Sequence, residues 1–180
     1  MSTFRFAIMG AGNIAHQFCD AVTLVEDCEV SAIASKDLGR AQKFAEECSV
    51  AHAYDNYEQM LIEEKPDCVY IAVTPNDHFR LTMLCLEHRV PVLCEKAMFT
   101  NSAEAKAVFE KAEKDQTFVM EAMWSRFLPA VNQAKKWAAE GKIGRLEALQ
   151  GRIGFLAPEG ADNRYHSPLP VSYTHLTLPT

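Results

Sequence analysis

The chain is short of several things. No apolar run among its 180 residues approaches the ~20 that a bilayer-spanning helix requires. Basic residues are in the minority, 18 Lys and Arg against 24 Asp and Glu, and the net charge of −6 argues against a nucleic acid or an anionic membrane surface as partner. The six cysteines (Cys19, Cys28, Cys48, Cys68, Cys85, Cys94) include no CxxC pair. Zinc ligands normally arrive in such pairs, so no metal site is expected, and a disulfide framework does not suit a chain of this size. Cys28, Cys68 and Cys94 stand at or near apolar runs and read as buried free thiols. The amino terminus enters an apolar run at once, leaving no room for a signal peptide; a cytoplasmic address is the expectation. No internal repeat or low-complexity tract is present. What remains is ordinary for a globular protein, 48% apolar and 23% charged, and long enough for one domain plus a piece of another.

The order of segments then sets the fold class. Strand-like runs at Phe4–Met9, Glu29–Ala34, Cys68–Val73, Val92–Cys94 and Phe118–Glu121 alternate with helix-like stretches at Ile14–Leu24, Leu38–Glu47, Tyr57–Glu64, His78–Glu87 and Ala103–Lys114. Asp55-x-x-Glu58 and Asn101-x-x-Glu104 have capping-box spacing and mark two helix starts. Short apolar strands separated by helices predict a parallel sheet covered on both faces. With right-handed crossovers, the class is α/β, a doubly wound Rossmann-type sheet over residues 1–123. Pro129–Glu140 reads as a junction helix stopped by Gly141, which suits a left-handed cap. Gly144–Phe155 alternates as a half-exposed antiparallel strand would, and reads as the first strand of a second, α+β domain within 124–170. Ala157–Pro170 reads as a loop. The last ten residues, VSYTHLTLPT, look like a translated sequencing adapter, so 171–180 is expected to be non-native and the chain truncated near Pro170.

The most informative local pattern is Gly10-Ala11-Gly12-Asn13-Ile14-Ala15, directly after the first strand. Gly10 permits a tight turn, Gly12 lets a pyrophosphate approach the backbone, and small Ala15 allows the helix to pack on the strand. The helix start offers N–H groups and a partial positive charge to an anion. The second strand ends in Ser35-Lys36, where a site preferring NAD usually carries an acidic residue for the ribose 2′-OH. Serine removes the carboxylate that repels a 2′-phosphate, and Lys36, with Arg40 one turn on, can pair with it. NADP is therefore favoured, with NAD possible. The other reading of Lys36 and Arg40 is a solvated surface at a helix start, with Asp37 as its cap.

Three further segments follow strands and so face the same crevice. Thr74-Pro75-Asn76 offers groups for ribose or phosphate oxygens, or is simply a turn before a helix. His78 reads as a structural hydrogen-bonding group. Glu95-Lys96 sits where the fourth predicted strand emerges. A lysine serves as a base near neutrality only when burial or a nearby positive charge lowers its pKa from about 10.4, and a surface Glu–Lys pair is the plainer reading. Trp124 beside Arg126 suits either the wall of a nicotinamide site or packing at a domain junction.

Taken in order, GAGNIA, ASKDLGRA, TPNDHF, LCEKA and EAMWSRFLPA, with IGRLEALQGRIGF after them, resemble the glucose–fructose oxidoreductase / inositol dehydrogenase (Gfo/Idh/MocA) family. EAMWSRFLPA looks most like its dihydrodiol and xylose dehydrogenase branch. The resemblance implies that Gly10, Gly12, Asn13 and Ile14 meet the coenzyme phosphates. It places Ser35, Lys36 and Arg40 at the adenine ribose with Thr74, Pro75 and Asn76 alongside, and Glu95 near the nicotinamide ribose. Lys96 is implied as the residue that orients substrate and shuttles its proton, with Trp124 and Arg126 at the nicotinamide end. The activity implied is hydride exchange between NADP (or NAD) and a hydroxyl-bearing carbon of a sugar or cyclic diol, in a full-length homo-oligomer.

Two departures bear on this. The family's Glu-Lys-Pro is Glu95-Lys96-Ala97 here, and a cis bond before alanine costs about 2.5–4 kcal/mol, so a trans bond is expected. In relatives the partner acid or base comes from a segment after the position of Leu169. The fragment itself is then expected to be inactive. Two other functions share the fold: an NAD-dependent glycosidase, and a coenzyme-binding sensor without catalysis.

Overall fold

The computed structural model describes residues 3–151. The chain divides into two compact units, the first running through Ala122 and the second beginning at Met123. In the first, strands β1 (Phe4–Met9), β2 (Cys28–Ala34), β3 (His52–Tyr54), β4 (Cys68–Ile71), β5 (Val92–Glu95) and β6 (Val119–Ala122) form one sheet in the order β3-β2-β1-β4-β5-β6. Every pairing is parallel. Between them run α1 (Asn13–Val22), α2 (Leu38–Cys48), α3 (Tyr57–Glu64), α4 (Pro75–Glu87) and α5 (Ser102–Asp115).

Period-two alternation sends neighbouring strand residues to opposite faces. Ile8, Ile33 and Tyr70 meet Ala15 and Cys19 of α1 and Phe44 of α2 on one face. Ala7, Met9, Val69, Ile71 and Val92 meet Met60 and Leu61 of α3 and Leu81 and Cys85 of α4 on the other. Both faces are dry, as a parallel sheet requires. The register of β1 on β2 slips between Phe6 and Ala7, leaving Ser31 as the extra residue of a bulge. The strand order reverses between β1 and β4, so the crevice beyond their carboxyl ends is the natural ligand site of this topology.

Several expectations are corrected. β3 is too short and too exposed for an alternation signal to mark it. The cap of α3 is Asn56, accepting from the Gln59 N–H at 3.0 Å, rather than Asp55. Helix α4 starts at Pro75 instead of His78, because proline's fixed φ suits a first helical position. Asn101 and Asp37 do cap their helices. All six cysteines are free thiols; Cys68 and Cys94 are buried, but Cys28 is only half-buried.

The second unit holds a 3-10 turn (Trp124–Phe127) and α6 (Pro129–Ala139), with Gly141 in the left-handed region at φ +72°. Over 144–151 there is no strand: these residues are exposed, and among the described residues no strand pairs with them. The rest of that predicted strand, the 157–170 loop and the 171–180 tail lie outside the described residues.

Candidate functional site

The corner between β1 and α1 is shaped by two glycines with different duties. Gly10 has φ +109°, and a Cβ there would lie 2.7 Å from the Ala72 carbonyl oxygen and 2.9 Å from Val73 Cγ1. Only glycine lets β1 and β4 come this close as they leave the sheet. At Gly12, which caps α1, a Cβ would meet nothing within 4 Å. Its side opens outward, and no side chain caps the helix there, nor is any acidic residue in its first turn. Asn13 and Ile14 are the first residues of α1, and Ala15 is fully buried beneath them. His16 supports the corner from behind, its Nδ1 3.1 Å from the Gly12 carbonyl oxygen and its Nε2 3.0 Å from Glu47. Backbone donors with free approach and no competing carboxylate are what a pyrophosphate needs, so this corner fits one.

The end of β2 flanks the corner. Ser35 is buried, its N–H bonded to the Tyr54 carbonyl at 3.0 Å. Arg40, in the first turn of α2, reaches back to donate to the Ala11 carbonyl at 3.2 Å, which brings its guanidinium to the glycine corner. Lys36 extends to Asp77 in the first turn of α4, with Nζ 2.6 Å from Oδ2. That hydrogen bond holds the Asp77 carboxyl below its ordinary value. Thr74 occupies the cap position of α4 without a side-chain cap bond, and Pro75 and Asn76 open the helix. Among the helices of the first unit, the α1 and α4 starts, at the two central strands, are thus the ones without a side-chain cap, while α2, α3 and α5 each have one.

Beyond β5 the polar groups are enclosed instead. Glu95 is 7% exposed; one oxygen accepts from the Tyr70 hydroxyl at 2.8 Å and the other from the Lys96 N–H at 3.1 Å. Burial, with the Glu95 carboxylate next to it, pushes the Tyr70 phenol well above its usual range. The Lys96–Ala97 peptide bond is cis, against the trans expectation. The turn is pinned from both sides without a proline ring: His78 Nδ1 lies 3.0 Å from the Ala97 carbonyl and 3.1 Å from that of Met98, and the Met98 N–H donates to Glu121 at 3.0 Å. The other nitrogen of His78 lies 3.0 Å from the Val73 carbonyl, tying the ends of β4 and β5 together. His78 is thus the structural hydrogen-bonding group that the sequence suggests, whereas Tyr70 and Glu121 do not stand out in the sequence, because their partners lie 25 and 23 positions away. Trp124 and Arg126 lie in the 3-10 turn of the second unit, with Trp124 exposed.

A doubly wound parallel sheet with an open glycine corner at its central reversal defines an NAD-binding Rossmann fold. The chain belongs to the Gfo/Idh/MocA oxidoreductase family, whose profile, described as an oxidoreductase family with an NAD-binding Rossmann fold, matches residues 4–123. Trans-1,2-dihydrobenzene-1,2-diol dehydrogenase of Mus musculus is 36% identical over 153 residues, 84% of this chain and 46% of the relative. The chain spans about half the length of the curated relatives it matches. Among solved structures, a 3-ketoreductase from Actinomadura kijaniata in complex with TDP-benzene and NADP superposes with a TM-score of 0.72 at 26% identity, over 78% of this chain and 43% of that one. An oxidoreductase from Agrobacterium radiobacter in complex with NAD+, L-tartaric acid and magnesium has the same fold, with a TM-score of 0.76 at 23% identity over 80% of this chain and 42% of that one. Among the described residues no helix is long and apolar enough to cross a membrane.

Proposed function

We propose that this chain is the coenzyme-binding part of an NAD(P)-dependent dehydrogenase acting on a hydroxyl-bearing carbon of a sugar or cyclic diol, with NADP preferred over NAD. The observation that carries this reading is the β1–α1 corner, where the packing of Gly10 against Ala72 leaves the uncapped start of α1 open above Gly12. Gly12, Asn13 and Ile14 would hold the pyrophosphate through backbone donors. Ser35 leaves room at the adenosine ribose, and Lys36 and Arg40 supply cations for a 2′-phosphate. Thr74, Pro75 and Asn76 border the same crevice from α4.

The nicotinamide ring, when bound, supplies the hydride chemistry. The chain's own part is positioning and proton transfer. Glu95, fixed by Tyr70 at the end of β5, would be the carboxylate near the nicotinamide ribose. Lys96, the next residue, holds the substrate hydroxyl and exchanges its proton as the carbon is oxidised or the carbonyl reduced. A diol or sugar substrate is supported by the mouse relative's name and by the order of motifs shared with its family. The test is an assay of the full-length protein carrying this chain against a panel of aldoses and trans-dihydrodiols with NADP+ and NAD+. Turnover with the panel that falls at least ~100-fold in Lys96→Ala supports the reading. Turnover that Lys96→Ala leaves unchanged contradicts the role of that lysine, and retention of the same coenzyme molecule through turnover would identify a glycosidase instead.

A further inference from the structure

Asp77 follows directly after the Thr74-Pro75-Asn76 segment, and it pairs with one cation from the end of β2 and one from its own helix α4. Its Oδ2 lies 2.6 Å from Lys36 Nζ and its Oδ1 3.5 Å from Arg80 Nη2. The Arg80 guanidinium in turn stands 5.9 Å from the centre of the Tyr57 ring. The Asp77 side chain is 20% exposed, against 66% for Lys36 and 55% for Arg80, so the carboxylate is the sheltered member and the cations are the exposed ones. Its carboxyl, held low by the Lys36 hydrogen bond, keeps its charge throughout the neutral range.

We propose that Asp77 is a specificity-determining residue: it competes with the coenzyme's 2′-phosphate for Lys36 and so restrains the preference for NADP. The inference rests on the reading that Lys36 meets that phosphate. A phosphate arriving at Lys36 must displace Asp77 or share the ammonium with it, and either way it comes within a Debye length of a fixed negative charge. NAD carries only a neutral hydroxyl at that position and has nothing to contest. Asp77 therefore weakens the binding of one coenzyme and leaves the other nearly untouched. The chain keeps a cation for phosphate while remaining open to both coenzymes.

The test is a fluorescence titration of the chain with NADPH and with NADH, comparing wild type, Asp77→Asn, Lys36→Ala and the double variant, each checked for folding by circular dichroism. Asp77→Asn is expected to tighten NADPH binding about 3- to 10-fold with NADH within about twofold, and the gain is expected to vanish in the Lys36→Ala background. Asp77→Glu, which keeps the charge, should behave as wild type, and Asp77→Ser supplies a second neutral variant if Asp77→Asn does not fold. Unchanged or weaker NADPH binding in a folded neutral variant overturns the proposal, since a carboxylate that merely orients Lys36 would show a loss. If Lys36→Ala leaves the NADPH-to-NADH ratio unaltered, the phosphate reading at Lys36 fails and this inference with it. If Lys36→Ala lowers the ratio while the neutral variants do nothing, only the role of Asp77 is refuted.

Discussion

The sheet's carboxyl edge is built in two ways. Beyond β1 and β2, the donors stand toward solvent: Gly12 opens on nothing within 4 Å, α1 starts without a side-chain cap, and Lys36, though paired with Asp77, is 66% exposed. Beyond β4 and β5, the polar groups are already paired and sheltered: His78 is fully buried against three carbonyls, and both oxygens of Glu95 accept hydrogen bonds. The first arrangement suits an anion that brings its own charge. The second suits a reacting centre that must be held in one geometry. Substitutions on the enclosed side should therefore register mainly in stability, and those on the open side mainly in binding.

The steepest contrast lies within the corner itself. Gly10→Ala places a Cβ 2.7 Å from the Ala72 carbonyl at φ +109°, and is expected to cost about 2–4 kcal/mol in urea unfolding, with coenzyme binding lost alongside. Gly12→Ala meets no atom, so stability should fall by about 1 kcal/mol or less while NADPH affinity drops at least ~10-fold. Comparable destabilisation at both glycines would erase the distinction. On the enclosed side, His78→Leu strips the Val73, Ala97 and Met98 carbonyls of their shared partner and should cost about 2–4 kcal/mol. Tyr70→Phe removes only the hydroxyl that meets Glu95 and should cost about 1–3 kcal/mol in the same unfolding experiment.

The smallest effect belongs to the surface pair. Asp77 has a folded-state pKa below its unfolded value, so its contribution is present above about pH 4 and is lost as the pH falls through the folded value. Acid titration of wild type against Asp77→Asn should show a stability difference of about 1 kcal/mol or less at neutral pH that closes at the acid end. A difference that instead widens toward acid would contradict the Lys36–Asp77 pairing.

Much of the open side is local in sequence, and so it is legible there. A strand, a glycine turn and a helix start occupy consecutive positions in Phe4–Ala15, and Ser35-Lys36 lies at the end of an apolar run. The enclosed side is assembled from residues distant along the chain. Glu95 owes its geometry to Tyr70, 25 positions earlier, and the Ala97 turn owes its shape to His78 and Glu121. Lys36 and Asp77 stand 41 positions apart, so nothing near Lys36 announces that its charge is already engaged. The missing proline after Lys96 leads to the expectation of a trans bond, whereas the bond is cis. β3 escapes notice because three residues, one exposed and two half-buried, carry too little periodicity, although they pair with β2 in the structure.

The central claim is that the first strand–helix corner receives the diphosphate of a nicotinamide coenzyme. Isothermal titration of the folded 180-residue chain with NADPH tests it most directly, read beside Gly12→Ala. The account predicts saturable binding at a single site per chain, weakened in the variant without loss of folding. Absence of binding in a folded wild-type sample, or equal binding by the variant, would contradict it.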